Sequence, residues 1–262
     1  MMSIVGKIAL VTGAGTGIGK GVAIELARRG VMVAIHYNQS DAGALHTKQI
    51  IDDFGGNAMI VQANIAHKDQ IDRMVGCIVS HYGGIDILVN NAALQLNYGF
   101  FEHDESSFDR MMNINLKGYW QCIQAVVPYM KAKQSGRIIN MSSVHSKRPT
   151  DFDVVYSMTK GGIRMLGRES AIELARHGIT VNTIEPGAVD VGKQSARESK
   201  PIMTAEDIEK NKKTRRSIHD KFPLGRVGRP LDVAQLVCFI ASDESEFMTG
   251  SSIRLDGGSM LL

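Results

Sequence analysis

The apolar run Ile8-Ala9-Leu10-Val11 ends in Thr12-Gly13-Ala14-Gly15-Thr16-Gly17-Ile18-Gly19, and apolar residues then recur at helical spacing (Ile18, Val22, Ile24, Leu26) as far as Gly30. A strand that breaks into a glycine turn and re-forms as a helix admits few folds. Gly13 allows the tight turn, and Gly17 and Gly19 allow backbone and phosphate to approach. The helix start adds unpaired N–H groups and the positive end of a dipole. A P-loop is excluded, because Gly19-Lys20 is followed by Gly21 rather than Ser or Thr, and position 14 is Ala14. The bland alternative is a glycine turn with no ligand, but the position between strand and helix favours a dinucleotide.

The same alternation continues to the C-terminus. Strands are expected near 8–11, 31–35, 58–62, 85–89, 137–141, 180–184 and 252–255. Helices are expected near 17–29, 42–54, 71–82, 105–133 and 155–175, with a last one after Pro230. Continuous apolar strands between helices predict an α/β fold: a doubly wound, Rossmann-type parallel sheet of about seven strands with helices on both faces. Residues 1–262 read as one domain, since no repeat, linker or low-complexity tract interrupts them. Segment 187–221 is too long for an ordinary connection and reads as a substrate-covering lid.

Composition narrows the function classes. The 262 residues carry a net charge of only +3, and the basic residues lack interleaved aromatics, which excludes a nucleic-acid surface. The charge is uneven, because residues 193–221 hold nine Lys/Arg against five Asp/Glu. No apolar run reaches eighteen residues, and the N-terminus leads directly into a strand without a secretory pattern, so no membrane role is expected. Cys77, Cys122 and Cys238 are odd in number and widely spaced, as reduced core thiols are. The eight histidines have no metal-ligand spacing, so no metal is expected. A cytoplasmic setting fits these features.

Tyr156 and Lys160 stand four residues apart, on one face of the expected helix, thirteen residues after Ser143. A phenol titrates near ~10, too high for a base at neutral pH, and a neighbouring ammonium favours the phenolate. Tyr156 is therefore the expected acid/base, Lys160 the charge that tunes it, and Ser143 the hydrogen-bond partner of the substrate oxygen. Ser142 is the adjacent competitor for that role, and the spacing favours Ser143.

With Gly13-x-x-x-Gly17-x-Gly19, Tyr156-x-x-x-Lys160, Asn90-Asn91-Ala92-Ala93, Asn115, Pro186-Gly187 and Asp256-Gly257-Gly258, the whole chain resembles the short-chain dehydrogenase/reductase family in its single-domain form. Asn140 to His145 and Lys160-Gly161-Gly162-Ile163 are similar to the glucose 1-dehydrogenase branch. The resemblance implies hydride transfer between a nicotinamide and a carbon–oxygen bond. It makes Lys160 a ligand of the nicotinamide ribose, and Asn115 the holder of a water in a proton relay. It also implies cofactor contacts from Gly13, Thr16, Gly17, Ile18, Gly19, Tyr37, Ile65, Asn91, Ala92, Ala93, Tyr156, Lys160, Pro186, Gly187 and Val189. Two departures stand out. Ala93 replaces the family glycine, and Val191 replaces a threonine that contacts the cofactor, leaving Val189 or Ser195 to orient the nicotinamide.

Cofactor preference turns on the end of the second strand. No carboxylate stands at Tyr37 to repel a 2′-phosphate, and no Arg or Lys stands there to pair with one. His36, Asn38 and Ser40 offer hydrogen bonds, which favours NADP with NAD as the alternative. Asn64 occupies the place of the acid that meets the adenine amine. The substrate is expected to be a sugar, polyol or sugar acid. Gln95, His145, Lys147 and Arg148 are candidate contacts, and the last two could read an anionic group. Lys147 and Arg148 facing solvent or a neighbouring subunit is an equally open reading. A 3-oxoacyl thioester reductase is the alternative enzyme, a pteridine or steroid reductase a weaker one, and a dinucleotide-binding sensor or scaffold the non-enzyme alternative. Relatives commonly assemble as homotetramers through the helices expected at 105–133 and 155–175.

Overall fold

The computed structural model describes residues 4–149, 153–192 and 218–262. Seven strands, β1 (Ile8–Val11), β2 (Met32–Tyr37), β3 (Ala58–Gln62), β4 (Ile87–Asn90), β5 (Gly136–Met141), β6 (Ile179–Pro186) and β7 (Ser252–Leu255), form one sheet. Its order is β3-β2-β1-β4-β5-β6-β7, and every neighbouring pair is parallel. The helices are α1 (Gly17–Arg28), α2 (Asp41–Asp53), α3 (Lys68–Tyr82), α4 (Glu105–Met112), α5 (Gly118–Lys133), α6 (Val154–Ala175), α7 (Ile218–Lys221) and α8 (Pro230–Ala241).

The two-residue period of the strands divides the core in two. Ala9, Val11, Val33, Ile35, Val89 and Ile139 pack with α1, α2 and α8 on one face. Leu10, Ala34, Leu88, Ile138 and Val181 pack with α3, α5 and α6 on the other. Strands buried on both faces must be apolar throughout, which is why β1 and β4 read as continuous hydrophobic runs. On the first face α1 and α8 come close, because a Cβ on Gly21 would lie 2.6 Å from Pro230 Cβ.

Some boundaries differ from the expected ones. β4 begins at Ile87, since Asp86 spends its carboxylate on the Ile8 N–H and on Lys133. β6 runs on to Pro186, and α3 starts at Lys68. The helix expected over 105–133 is interrupted by a π-helical turn at Asn113–Lys117. Of the expected lid, 193–217 lies outside the described residues, while 187–192 and α7 are described.

The strand order places β1 between β2 and β4. The chain therefore leaves β1 toward one edge and later resumes at β4 toward the other. At such a reversal a crevice opens outside the carboxyl ends of the strands. The glycine turn follows β1, the Asn91 segment follows β4, and Ser143 follows β5, so all three meet at that crevice.

Candidate active site

The glycine turn is held from beneath by side chains. Thr12 Oγ1 accepts from the N–H groups of Asn91 (2.8 Å) and Ala92 (3.1 Å). Asn91 Nδ2 donates back to the carbonyls of Thr12 (2.9 Å) and Gly13 (3.2 Å). Thr47 Oγ1 donates to Gly43 O (2.8 Å) and also lies 3.2 Å from Ala14 O. The glycines serve this packing. A Cβ on Gly19 would lie 2.3 Å from Gly13 O and 2.5 Å from Asn91 Nδ2, and one on Gly13 would lie 2.9 Å from Ala92 Cα. Gly19 thus serves the fit of helix to turn. The Asn91 side chain likewise braces the turn.

The residues present fit a dinucleotide. No side chain caps α1 at Thr16 and no acid stands in its first turn, so its N-terminal N–H groups and dipole are open to an anion. Thr16, Asn38 and Ser40 form an exposed polar rim beside this turn, while Ile18 and Tyr37 pack against the core. Val191, in the place of the family threonine, sits over Gly17, its Cγ1 3.3 Å from where a Cβ would stand. Gly187 N–H bonds to Leu255 O, and Val189 bridges to Gly228.

His36 is a correction. Its side chain turns to the second face, where Gly13 N–H donates to Nδ1 (3.0 Å) and Nε2 donates to Ala63 O (2.9 Å). Burial pushes its pKa down to about 4. A neutral imidazole with both nitrogens engaged ties β1, β2 and β3 together and has no hydrogen left for a 2′-phosphate. Asn64 Oδ1 already accepts from Ala66 N–H (3.1 Å), so one of its lone pairs is taken. Ile65 is buried with α3 and α5.

The Ser/Tyr/Lys set converges as the spacing predicts. Asp153 caps α6 by accepting from Tyr156 N–H (2.8 Å), which starts the helix three residues before Tyr156. Lys160, one turn on and almost wholly buried, donates to Met141 O at the end of β5 (2.8 Å). Its Nζ stands 5.3 Å from the centre of the Tyr156 ring. Ser143 lies near enough to the Tyr156 phenol to favour its ionised form, whereas Ser142 turns away to Lys160 O (2.7 Å). Ser143 is therefore the serine that faces the phenol. The His145 ring lies edge-on to Tyr156, with centroids 6.1 Å apart.

The electrostatics differ from the expectation of a lowered phenol. Burial pushes Tyr156 up to about 12, the Ser143 hydrogen bond pulls it back, and the Asp153 carboxylate pushes it up again. Burial also drives the Lys160 ammonium down to about 7. Desolvation disfavours the charged form of both groups.

Asn115 is wholly buried inside the π-turn. Its Oδ1 accepts from Leu94 N–H (2.7 Å), and its Nδ2 donates to Leu94 O (2.8 Å) and Thr159 Oγ1 (3.3 Å). The amide pins residue 94 against α6. A π-turn in mid-helix is the kind of irregularity that accompanies function.

The comparisons with known proteins agree with this geometry. The family model described as enoyl-(acyl carrier protein) reductase, of the short-chain alcohol dehydrogenase type, matches residues 13–260. The 3-oxoacyl-[acyl-carrier-protein] reductase FabG of Staphylococcus aureus is 36% identical over 254 residues, 96% of this chain and 97% of its own. The hydroxynaphthalene reductase-like protein Arp2 of Metarhizium majus is 34% identical over 265 residues, 98% of this chain and 96% of its own. A structure described as a short-chain alcohol dehydrogenase from Sinorhizobium meliloti superposes with a TM-score of 0.87 at 30% identity, covering 98% of this chain and 97% of that one. Acetoin dehydrogenase YohF from Salmonella typhimurium gives 0.84 at 27% identity, covering 100% and 97%.

The chain belongs to the short-chain dehydrogenase/reductase family. It is accordingly an NAD(P)-dependent oxidoreductase.

Within this family frame, the cations expected to read an anionic substrate are otherwise engaged. Lys147 pairs with Glu185 Oε2 (2.9 Å), and Arg164 pairs with Oε1 of the same carboxylate (3.3 Å). Ser146 Oγ also donates to Glu185 (3.2 Å). Glu185 is wholly buried on β6, and a buried carboxylate needs such partners. Arg148 reaches toward the C-terminal segment, 3.5 Å from Ser259 O. Lys147 is held in an ion pair, whereas Arg148 stays exposed with a carbonyl and a thioether in reach. Gln95 and Ala93 are exposed on the segment after β4, and Ala92 packs against the second core cluster. Three residues that the reading of the sequence passed over shape the site: Asp153, Glu185 and His103. The acid three positions before Tyr156 was a helix-cap signal, and the lone acid in the apolar run of β6 was a signal of buried ion pairing.

Proposed function

We propose that this protein is an NADP-preferring enzyme that interconverts a ketone and a secondary alcohol, with Tyr156 as acid/base. The observation that carries the reading is Tyr156, faced by Ser143 and flanked by Lys160, at the crevice bordered by the glycine turn. The turn 13–19 and the rim of Thr16, Asn38 and Ser40 would hold the dinucleotide, with Lys160, Pro186, Gly187 and Val189 on the nicotinamide side. When bound, the nicotinamide supplies the hydride. Ser143 hydrogen-bonds the substrate oxygen, and Tyr156 gives that oxygen its proton. Burial favours the protonated phenol, the form that donates.

A 3-oxoacyl thioester is the substrate class favoured by the FabG relatives, which match along almost the whole chain. A neutral sugar or polyol is the second reading, supported by His145 beside Tyr156. An anionic sugar loses its support once Lys147 is paired with Glu185. A homotetramer is part of the proposal. Trp120 (46% exposed) and Leu116, Met112 and Leu166 line a groove of about 450 Å³ on the face of α4, α5 and α6. Three free cysteines, two of them buried, support a reducing, cytoplasmic setting. The lid over 187–221 remains part of the proposal.

Initial rates with NADPH and NADH on acetoacetyl-coenzyme A, acetoin, glucose and gluconate test the substrate reading. Fastest turnover of the thioester with NADPH is expected, and turnover of sugars alone would replace it with the second reading. Tyr156→Phe should lower kcat by about 10²- to 10⁴-fold with cofactor affinity unchanged, and undiminished activity would sink the mechanism.

A further inference from the structure

Residues 94–103 run from the end of the Asn91 segment to α4 and carry Gln95 on the exposed side. Two ties hold this loop against α6. The first is the exchange between Leu94 and Asn115. The second is Asp153, wholly buried in its side chain, whose carboxylate has three partners. Oδ1 accepts from Tyr156 N–H (2.8 Å) and meets His103 Nε2 (3.2 Å), and Oδ2 accepts from Asn97 N–H (3.0 Å). The His103 side chain is only 5% exposed. Its Nδ1 meets Ser107 Oγ on α4 at 3.2 Å, and its ring tilts against Tyr98 at 5.3 Å. Asn97 holds φ at +61°, a conformation asparagine tolerates better than most residues.

One carboxylate therefore joins the cap of the helix that bears Tyr156, the middle of the loop and the start of α4. A cap alone needs only an oxygen, which serine supplies. Burying a full carboxylate with a histidine partner exceeds that need, and the surplus contacts all go to the loop. The titratable groups facing the His103–Asp153 pair are Asp104 at the cap of α4 and Tyr156.

Resting on the reading of Tyr156 as acid/base, we infer that His103 and Asp153 form a clamp that sets the 94–103 loop against Tyr156. His103 is then a positioning residue for the substrate. The Asp153 charge also opposes ionisation of the phenol, which strengthens the proton-donor form.

The test uses His103→Leu, which breaks the clamp, His103→Gln, which keeps a donor, and Asp153→Ser, which keeps the helix cap. Amide exchange of residues 94–103 is measured without substrate, together with kcat and KM for acetoacetyl-coenzyme A and the NADPH Kd. Exchange at Asn97 should rise at least tenfold in His103→Leu and Asp153→Ser, with NADPH Kd within about twofold of wild type. KM should rise about tenfold with little change in kcat, and His103→Gln should restore most of it, as expected for one charge-assisted hydrogen bond. In the alcohol-oxidation direction the acidic limb of the pH profile should move to lower pH in Asp153→Ser. Unchanged exchange and KM overturn the clamp, and so does loss of folding in both breaking variants, which would make the pair a determinant of the fold alone. The exchange arm reads the clamp without any activity. Failure of the Tyr156 mechanism, read from Tyr156→Phe, is therefore distinguishable from failure of the clamp.

Discussion

Replacing Lys160 with methionine removes the one ammonium buried under the Tyr156 ring and leaves a side chain of similar length. Burial lowers Lys160 from the usual 10.5 to about 7 in the folded chain. Between these values the unfolded chain binds more protons than the folded one, so stability rises as pH rises through that window. From pH 7 to pH 9 the Lys160 contribution amounts to about 2 kcal/mol in favour of the folded state. The buried thiols of Cys122 and Cys238, pushed up to about 12, act in the opposite direction as pH rises past the ordinary thiol range. Both proteins share those thiols, so the difference between wild type and Lys160→Met isolates the lysine. Urea midpoints at pH 7 and pH 9, at one protein concentration, give the four stabilities needed. Wild type should gain about 2 kcal/mol more than the variant over this interval, and the variant should be inactive while folded. Equal pH dependence in the two proteins would refute the reasoning, because it would mean that Lys160 keeps its charge when buried.

Gly19→Ala should destabilise by about 1–3 kcal/mol and weaken NADPH binding at least tenfold, since its Cβ would meet main-chain Gly13 O at 2.3 Å. Gly76→Ala on α3, where a Cβ meets nothing within 4 Å, should instead gain up to about 1 kcal/mol, and melting curves of the pair check the contrast. Lys147→Ala should cost about 1–2 kcal/mol, less than a fully buried pair would, because Lys147 is partly exposed and Arg164 still faces Glu185. The ratio of rates on gluconate and glucose should not move, and a selective loss on gluconate would return Lys147 to the substrate pocket.

The parallel sheet, its cover of helices and the approach of Ser143, Tyr156 and Lys160 were legible in the residues themselves. Strand period, helix period and glycine position act over a few neighbours, and the spacing of Tyr156 and Lys160 on one helix face is a local property as well. The same holds for the choice between Ser142 and Ser143, since adjacent residues after a strand face opposite ways. What each polar side chain touches depended on segments far apart in the chain. His36 looked like a donor for a phosphate until Gly13 and Ala63 were brought to its two nitrogens. Lys147 looked like a free cation until β6 placed Glu185 beside it across 38 residues of chain. The Asn115 amide met Leu94 across twenty-one residues, and Asp153 gained His103 from fifty residues away. Burial also works against the Tyr156 phenolate, because desolvation belongs to the packed interior and not to a residue type. Pattern alone determined the fold and the candidate groups of the site, whereas only tertiary packing decided the partners of each group, since hydrogen bonds and dielectric are set by whatever the fold brings within a few ångströms.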